Sequence, residues 1–213
     1  EATEPGSTFK LASVIALLED GASPSEIVDT EKGVIYFYGQ PMKDSNHDKG
    51  GHGKISLHET FEVSSNIGIS RMVDKYYSKN PQKFIDRIYA MNLQNPLGLE
   101  IPGEGKPKIK NPKDKDWSGV SLPWMSIGYE LLMTPMQILT FYNAVANNGK
   151  MVKPKFVKEI RKNGIVSKKF ETEVINEKIC SQETIDKVRR MMESVVDSGT
   201  AKNLKHADFK IAG

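Results

Sequence analysis

The run from Leu11 to Leu18, LASVIALL, constrains the fold more than any other feature, because apolar or small residues occupy every position. A helix that is apolar all round must be covered on every side, so this one is predicted to lie in the middle of a domain. Gly21 is a good left-handed cap for its end, and Ser7, which follows Pro5-Gly6, is predicted to cap its start. With 213 residues, of which 38% are hydrophobic, the chain can form one core large enough to enclose it.

A lysine stands at an unfavourable place in the first turn of this helix. Lys10 is the third residue after Ser7, where a capping serine usually has Glu or Gln and where the helix dipole disfavours a cation. Burial is expected to desolvate Lys10 and to lower its pKa. Serine and lysine one turn apart face the same way, so the pair is predicted to be a nucleophile and its base within hydrogen-bond range. The alternative is an ordinary capped helix whose lysine reaches solvent.

A second polar cluster, Ser64-Ser65-Asn66, lies where two helical patterns meet between Leu57 and Tyr77. Serine and asparagine are favoured at helix starts, so a helix cap is one interpretation. The other interpretation is that the cluster belongs to a catalytic site together with Ser7 and Lys10. It rests on the order of the two clusters, because Ser-x-x-Lys followed by Ser-x-Asn gives two of the three motifs of serine enzymes that react with penicillin.

Turn and cap residues predict the remaining elements. They are a hairpin over Ile27–Gln40 turning at Lys32-Gly33, a helix capped by Thr134 and stopping at Gly149, a hairpin over Met151–Ile175 around Asn163-Gly164, and a helix from Ser181 to Gly199.

Charge and composition exclude several classes of protein. The net charge of +3 comes from 30 basic and 27 acidic residues, a balance that does not predict nucleic-acid binding. His47, Asp48 and His52 share one polar loop without a regular ligand spacing, so no metal site is predicted there. The single cysteine, Cys180, excludes an internal disulfide. No apolar run is long enough to span a membrane.

Four longer stretches resemble the class B penicillin-binding proteins, the transpeptidases that cross-link peptidoglycan. They are EPGSTFK (Glu4–Lys10), HGKISLHETFEVSSNIGISRM (His52–Met72), NPLGLEIPGE (Asn95–Glu104) and SIGYELLMTPMQILTFYNAVANNG (Ser126–Gly149). The resemblance covers nearly the whole chain, and Ser-Ser-Asn is similar to the division-type members. It implies an α+β fold in which residues 1–213 form a partial transpeptidase domain, the helix-rich lobe of a penicillin-binding protein or β-lactamase-like fold with an incomplete central sheet.

The third motif of that family, Lys-Thr-Gly or Lys-Ser-Gly, is absent. Residues 197–200, Asp-Ser-Gly-Thr, lack its lysine, whereas the final FKIAG (Phe209–Gly213) is similar to the phrase that directly precedes the motif in relatives. The chain is therefore expected to be cut just before the third motif, and its own activity is expected to be impaired.

The resemblance implies a role for each residue of the two motifs. Ser7 attacks the carbonyl between the last two D-alanines of a peptidoglycan stem peptide, with Lys10 as its base. Ser64 relays protons toward the leaving amine, and Asn66 binds the substrate amide and helps to hold Lys10. Penicillins resemble the donor peptide and trap Ser7, and the scheme requires no metal or organic cofactor.

The resemblance also implies a location and partners. The location is the outer, periplasmic face of the inner membrane, with the anchor outside this chain. The expected partners are peptidoglycan stem peptides, β-lactams and cell-division membrane proteins, and no nucleic acid is expected. Two alternatives share the first two motifs, namely a serine β-lactamase and a β-lactam sensor that acylates without cross-linking.

Overall fold

A computed structural model describes all residues, 1–213, as seven α-helices joined by ten short strands. The helices are α1 (Lys10–Glu19), α2 (Leu57–Glu62), α3 (Asn66–Tyr77), α4 (Pro81–Ala90), α5 (Ser121–Met125), α6 (Pro135–Ala146) and α7 (Gln182–Asp197). The strands are β1 (Ile27–Asp29), β2 (Val34–Phe37), β3 (Gln40–Lys43), β4 (Lys54–Ser56), β5 (Lys108–Ile109), β6 (Leu131–Leu132), β7 (Met151–Val152), β8 (Glu159–Lys162), β9 (Ile165–Lys169) and β10 (Val174–Asn176).

Helix α1 is the centre of the core, as its sequence predicts. Every residue from Lys10 to Leu18 is buried, and α2, α3, α4 and α7 pack around the helix. A helix without a polar face is stable only in such surroundings. Lys10, at its first position, is therefore held in the protein interior.

The start of α1 differs from the prediction that Ser7 caps it. A 3₁₀ turn, Gly6–Phe9, leads directly into α1, and the carbonyl of Ser7 already accepts the backbone N–H of Lys10. Because Ser7 lies inside this helical turn, its side chain cannot reach back as a cap, and the cap prediction is wrong. The Ser7 side chain is exposed instead.

The far end of α1 is fixed by a buried carboxylate. Asp20 accepts hydrogen bonds from Arg87 at 2.6 Å and from the Tyr77 hydroxyl at 2.7 Å, and it pairs with Lys83 at 2.8 Å. Burial alone raises the pKa of Asp20, but these hydrogen bonds outweigh it and lower the pKa to about 2. The network ties α1 to α3 and α4.

Capping residues define the other helices largely as predicted. Thr134 and Gln137 form a capping box at the start of α6, and the Ser181 hydroxyl caps α7. At the start of α3 the capping residue is Ser65, which accepts the backbone N–H of Gly68. Ser64 is therefore not the cap of α3.

The strands form five separate two-stranded antiparallel sheets, pairing β1 with β4, β2 with β3, β5 with β6, β7 with β10, and β8 with β9. The prediction of a hairpin turning at Lys32-Gly33 is wrong, because β2 turns at Tyr38-Gly39 and β1 pairs with a distant strand. A Cβ on Gly51 would lie 2.3 Å from the nitrogen of Gly33, so the turn at Gly33 accommodates a close approach of another loop. The hairpin around Asn163-Gly164 is confirmed.

The predicted fold class is confirmed, since the chain combines a helical core with small sheets. None of its helices has the length and apolarity that crossing a membrane requires.

Candidate active site

One open cavity of about 170 Å³ brings the two sequence motifs together. Its lining residues come from the 3₁₀ turn before α1, the start of α1, α2, the α2–α3 connection, α6, α7 and the segment after α7: Ser7, Thr8, Lys10, Phe61, Ser64, Tyr142, Val195, Thr200 and Gly213. Three of the four predicted site residues, Ser7, Lys10 and Ser64, thus share one cavity.

Lys10 is the electrostatic centre of the cavity. Its side chain is 1% exposed, and its Nζ donates to the carbonyl oxygen of Ser64 at 2.6 Å and to the Ser64 Oγ at 2.9 Å. Burial lowers the pKa of Lys10 to about 8, although the negative charge of Asp44 partly opposes this shift. A lysine with such a pKa can both accept and return a proton near neutral pH.

The Ser7 hydroxyl faces the same cavity but does not bond to Lys10. No hydrogen bond joins the two side chains, and the Lys10 ammonium group donates to the carbonyl oxygen and the hydroxyl of Ser64 instead. The prediction of a direct contact between Ser7 and Lys10 is wrong for this state of the site. Contacts between a nucleophile and its base are often long without substrate and shorten when it binds.

Ser64 adopts an unusual backbone conformation that directs it to Lys10. It lies between α2 and α3 with φ of +55°, in the left-handed region that non-glycine residues rarely occupy. Because Ser65 caps α3, the hydroxyl of Ser64 and its carbonyl remain available to Lys10. Within the motif, Ser65 thus caps the helix, whereas its neighbour Ser64 contacts Lys10.

Asn66, the fourth predicted residue, is hydrogen-bonded to strand β3. Its Nδ2 donates to the carbonyl oxygen of Lys43 at 2.8 Å, and the residue does not line the cavity. The contact with Lys10 that the resemblance implied is not made, and the Asn66 amide bonds to the carbonyl of Lys43 at the end of β3 instead.

Asp44, directly after β3, is a residue that the sequence did not reveal. It is 2% exposed, and its carboxylate accepts from the Ser65 hydroxyl at 2.8 Å and from the backbone N–H of Ile67 at 3.0 Å. A carboxylate at the start of α3 also interacts favourably with the helix dipole. Asp44 therefore fixes the α2–α3 connection that presents Ser64, and no local sequence pattern distinguishes it from other loop acids.

Tyr142 is a second residue that the sequence did not reveal. Its hydroxyl donates to the carbonyl of Thr8 at 3.1 Å, and burial raises its pKa to about 12. The phenol stays protonated at neutral pH and supports the backbone beside Ser7. The sequence predicts the capped helix α6, but it does not show which side chains of that helix face the start of α1.

The loop before Ser7 packs against a glycine. The backbone N–H of Gly6 donates to the carbonyl of Gly128 at 3.0 Å, and a Cβ on Gly128 would lie 2.0 Å from the oxygen of Gly6. The Ser13 hydroxyl of α1 donates to the carbonyl of Ser126 at 2.7 Å. The segment 126–128 thus contacts both the loop before Ser7 and the helix that follows it.

The His, Cys, Asp and Glu side chains of the chain form no group of three or more that could hold a metal ion. The chemistry available in the cavity is that of a hydroxyl, an amine and a phenol. These groups suit nucleophilic acyl transfer with internal proton transfer.

Comparisons with known proteins show which family the chain resembles. Residues 1–213 match the family described as the penicillin binding protein transpeptidase domain. The penicillin-binding protein PbpB of Mycolicibacterium smegmatis is 29% identical over 99% of this chain and 32% of its own length. The peptidoglycan D,D-transpeptidase FtsI of Buchnera aphidicola (Schizaphis graminum) is 29% identical over 68% of this chain and 24% of its own length.

A solved structure shows the same fold. Penicillin-binding protein 3 of Mycobacterium tuberculosis in complex with ampicillin superposes with a TM-score of 0.75 at 28% identity, over 92% of this chain and 42% of that one. The chain spans about a third or less of the length of the two curated relatives. Its fold, the convergence of the two motifs and the match over all 213 residues establish that the chain belongs to the penicillin-binding protein transpeptidase family.

Proposed function

We propose that this chain carries the nucleophile and the base of a division-type, class B peptidoglycan D,D-transpeptidase. One observation above all supports the proposal: Lys10 is buried, has a pKa of about 8, and shares a cavity with Ser7 and Ser64. We further propose that residues 1–213 are part of a transpeptidase domain, in keeping with the match to that family.

The reaction begins when the Ser7 Oγ attacks the carbonyl between the two terminal D-alanines of a stem peptide. Lys10 in its neutral form takes the Ser7 proton, and the backbone N–H of Ser7 donates to the developing oxyanion. With a pKa of about 8, a minority of Lys10 is neutral at pH 7, which is enough for a base that is regenerated in each cycle.

Collapse of the tetrahedral intermediate breaks the peptide bond and releases D-alanine. The leaving nitrogen takes a proton that passes from Lys10 through the Ser64 hydroxyl, to which the Lys10 Nζ already donates. The acyl group remains on Ser7 as an ester. Asn66 binds the amide of the donor peptide, for which its side chain can both donate and accept.

An acceptor amine from a neighbouring stem peptide then attacks the ester. It loses one proton to Lys10, the new amide cross-link forms, and Ser7 recovers its hydroxyl proton. β-Lactams acylate Ser7 in the same way, and a relative of this fold has been solved with ampicillin.

The family relationship favours a transpeptidase over a β-lactamase, because the relatives named above are a penicillin-binding protein and a peptidoglycan D,D-transpeptidase. We also propose a location at the outer face of the cytoplasmic membrane, with cell-division membrane proteins as partners, on the strength of the family relationship.

The test is to find the acylated residue. Residues 1–213, and the same chain extended through a Lys-Thr-Gly strand, are incubated with a penicillin and analysed by peptide mass spectrometry. We expect an adduct on Ser7 in both, slower in the shorter chain, and none after Ser7→Ala. Exchange of a D-alanine donor with an added amine distinguishes a transpeptidase from a sensor, and rapid β-lactam turnover would indicate a β-lactamase instead. No Ser7 adduct in the folded extended chain would refute the proposal.

A further inference from the structure

The β8–β9 hairpin, defined here as residues 155–169, projects from the rest of the fold. Fourteen of its residues are exposed and only Glu159 is partly covered, and its strands pack extensively against no other helix or strand. An isolated two-stranded hairpin has little stability of its own, so one that protrudes in this way is suited to contact something outside the chain.

Charge is concentrated in the hairpin. It contains six basic residues and one acidic residue, a net charge of +5, whereas the whole chain has +3, so the remaining residues sum to −2. Two of the cations are paired with acids, Arg161 with Glu159 and Lys169 with Glu171. Lys158, Lys162 and Lys168 form no ion pair. A surface that binds this hairpin is therefore expected to carry negative charge.

Large apolar side chains are exposed among these cations: Phe156, Val157, Ile160, Ile165 and Val166. Ile165, next to the tip, is 74% exposed. A polyanion without apolar parts would leave these side chains in water. Cations mixed with exposed aliphatic and aromatic residues are typical of elements that lie in the headgroup region of an anionic membrane.

The register of the strands shows the mixture on both faces. Ile160 pairs with Lys168 and Ile165 with Lys162, so each of these cross-strand pairs joins an aliphatic side chain to a lysine. On the opposite face Val166 pairs with Arg161. A folded protein partner would contact one face of the hairpin, whereas lipid headgroups can surround its tip and contact both faces at once.

We propose that the β8–β9 hairpin docks on an anionic phospholipid surface, with Ile165 and Val166 among the acyl chains and Lys158, Lys162 and Lys168 at the phosphates. This contact is independent of the proposed acyl transfer, since none of its residues lines the cavity that contains Ser7.

The test measures cosedimentation of the 213-residue chain with vesicles of phosphatidylglycerol and phosphatidylcholine, and with vesicles of phosphatidylcholine alone. We expect binding to the anionic vesicles only. Reversing three lysines, K158E/K162E/K168E, should weaken it by roughly a hundredfold, given the usual contribution of a basic residue at an anionic surface. The matched control K79E/K113E/K115E makes the same charge change at exposed sites outside the hairpin and should lower binding by far less.

A second variant separates insertion from simple charge attraction. Ile165→Ser with Val166→Ser leaves every charge in place and should lower binding by about tenfold or more, because it removes the apolar contact. Circular dichroism must show unchanged helix content in each variant. The proposal fails if anionic vesicles do not bind, if the control lysines matter equally, or if the serine pair binds like the parent chain. Equal binding to soluble poly-glutamate would indicate an acidic protein segment as the partner and would also refute it.

Discussion

The Nζ of Lys10 lies 2.9 Å from the Oγ of Ser64, a residue 54 positions away in the chain. This hydrogen bond joins the first helix of the core to the connection between α2 and α3. Burial fixes the side chain of Lys10, and the left-handed backbone of Ser64 fixes the direction of its side chain, so the two remain in contact. Proton transfer between the two requires no rearrangement of the backbone.

Lys10→Met should abolish acylation of Ser7 while preserving the fold. Methionine fills a similar volume but carries no base, and loss of a general base typically lowers the rate by about 10² to 10⁴. Labelled-penicillin incorporation into the extended chain measures the effect. Lys113→Met, at an exposed site, is the matched control, and normal labelling of the Lys10 variant would remove Lys10 from the mechanism.

The same Lys10→Met variant should be at least as stable as the parent. The folded-state pKa of Lys10, about 8, lies below its unfolded value of 10.5, so the unfolded chain binds more protons between these two values. Burial of the ammonium group therefore costs about 3 kcal/mol below pH 8, and this cost disappears as the pH rises toward 10.5. Urea unfolding at pH 7 should show a gain for the variant of about 1 to 3 kcal/mol. A clear loss of stability would mean that the hydrogen bonds to Ser64 outweigh the desolvation.

Acylation should become faster as the pH rises through about 8 if the neutral form of Lys10 is the base, as proposed above. Asp44→Asn removes the negative charge that raises the pKa of Lys10, so the midpoint of the profile should move to lower pH. The variant should also lose about 1 to 3 kcal/mol of stability, because Asp44 accepts from Ser65 and from Ile67 with different oxygens and an amide replaces one of these oxygens by a donating NH2 group. The measurement is the rate of penicillin labelling between pH 6 and 9.5. A midpoint that does not move would show that Asp44 acts on structure alone.

The sequence predicts the elements whose signals are local. Thr134 with Gln137, the Asn163-Gly164 turn and the apolar run of α1 each act within a few residues, and all three are confirmed. The hairpin predicted at Lys32-Gly33 does not form, because a distant loop determines the chain path there. Gly51 of that loop packs against Gly33. Short-range patterns contain no information about that approach.

The candidate site divides in the same way. Ser7, Lys10 and Ser64 could be named because they belong to recognisable motifs, and the structure places them in one cavity. Asp44 and Tyr142 reach the site only through tertiary packing, so nothing in their neighbourhood identifies them. The absence of a hydrogen bond between Ser7 and Lys10 likewise depends on Ser64, which lies far away in the sequence.

Asn66→Ala should slow acylation and leave the thermal midpoint nearly unchanged, if Asn66 binds the substrate amide. Its one hydrogen bond, to the carbonyl of Lys43, is at a partly exposed position where water can replace the amide. Differential scanning fluorimetry and penicillin labelling on the same preparation compare the two effects. A large fall in the midpoint with unimpaired labelling would instead make Asn66 a structural residue.

Gly128→Ala should damage both the fold around the nucleophile and the reaction. Because the backbone of Gly128 has φ of +88° and a Cβ there would lie 2.0 Å from the oxygen of Gly6, any side chain forces the loop before Ser7 to move. A displacement of about 1 Å in a catalytic group can lower a rate by about a hundredfold, so labelling of Ser7 should fall by that order while much of the helical signal remains. Gly164→Ala is the control, since Gly164 also has a positive φ, of +79°, but no atom within 4 Å of a Cβ. It should lose stability without slowing the labelling. If both variants labelled equally fast, the contact between the glycine and the Ser7 loop would have no part in positioning the nucleophile.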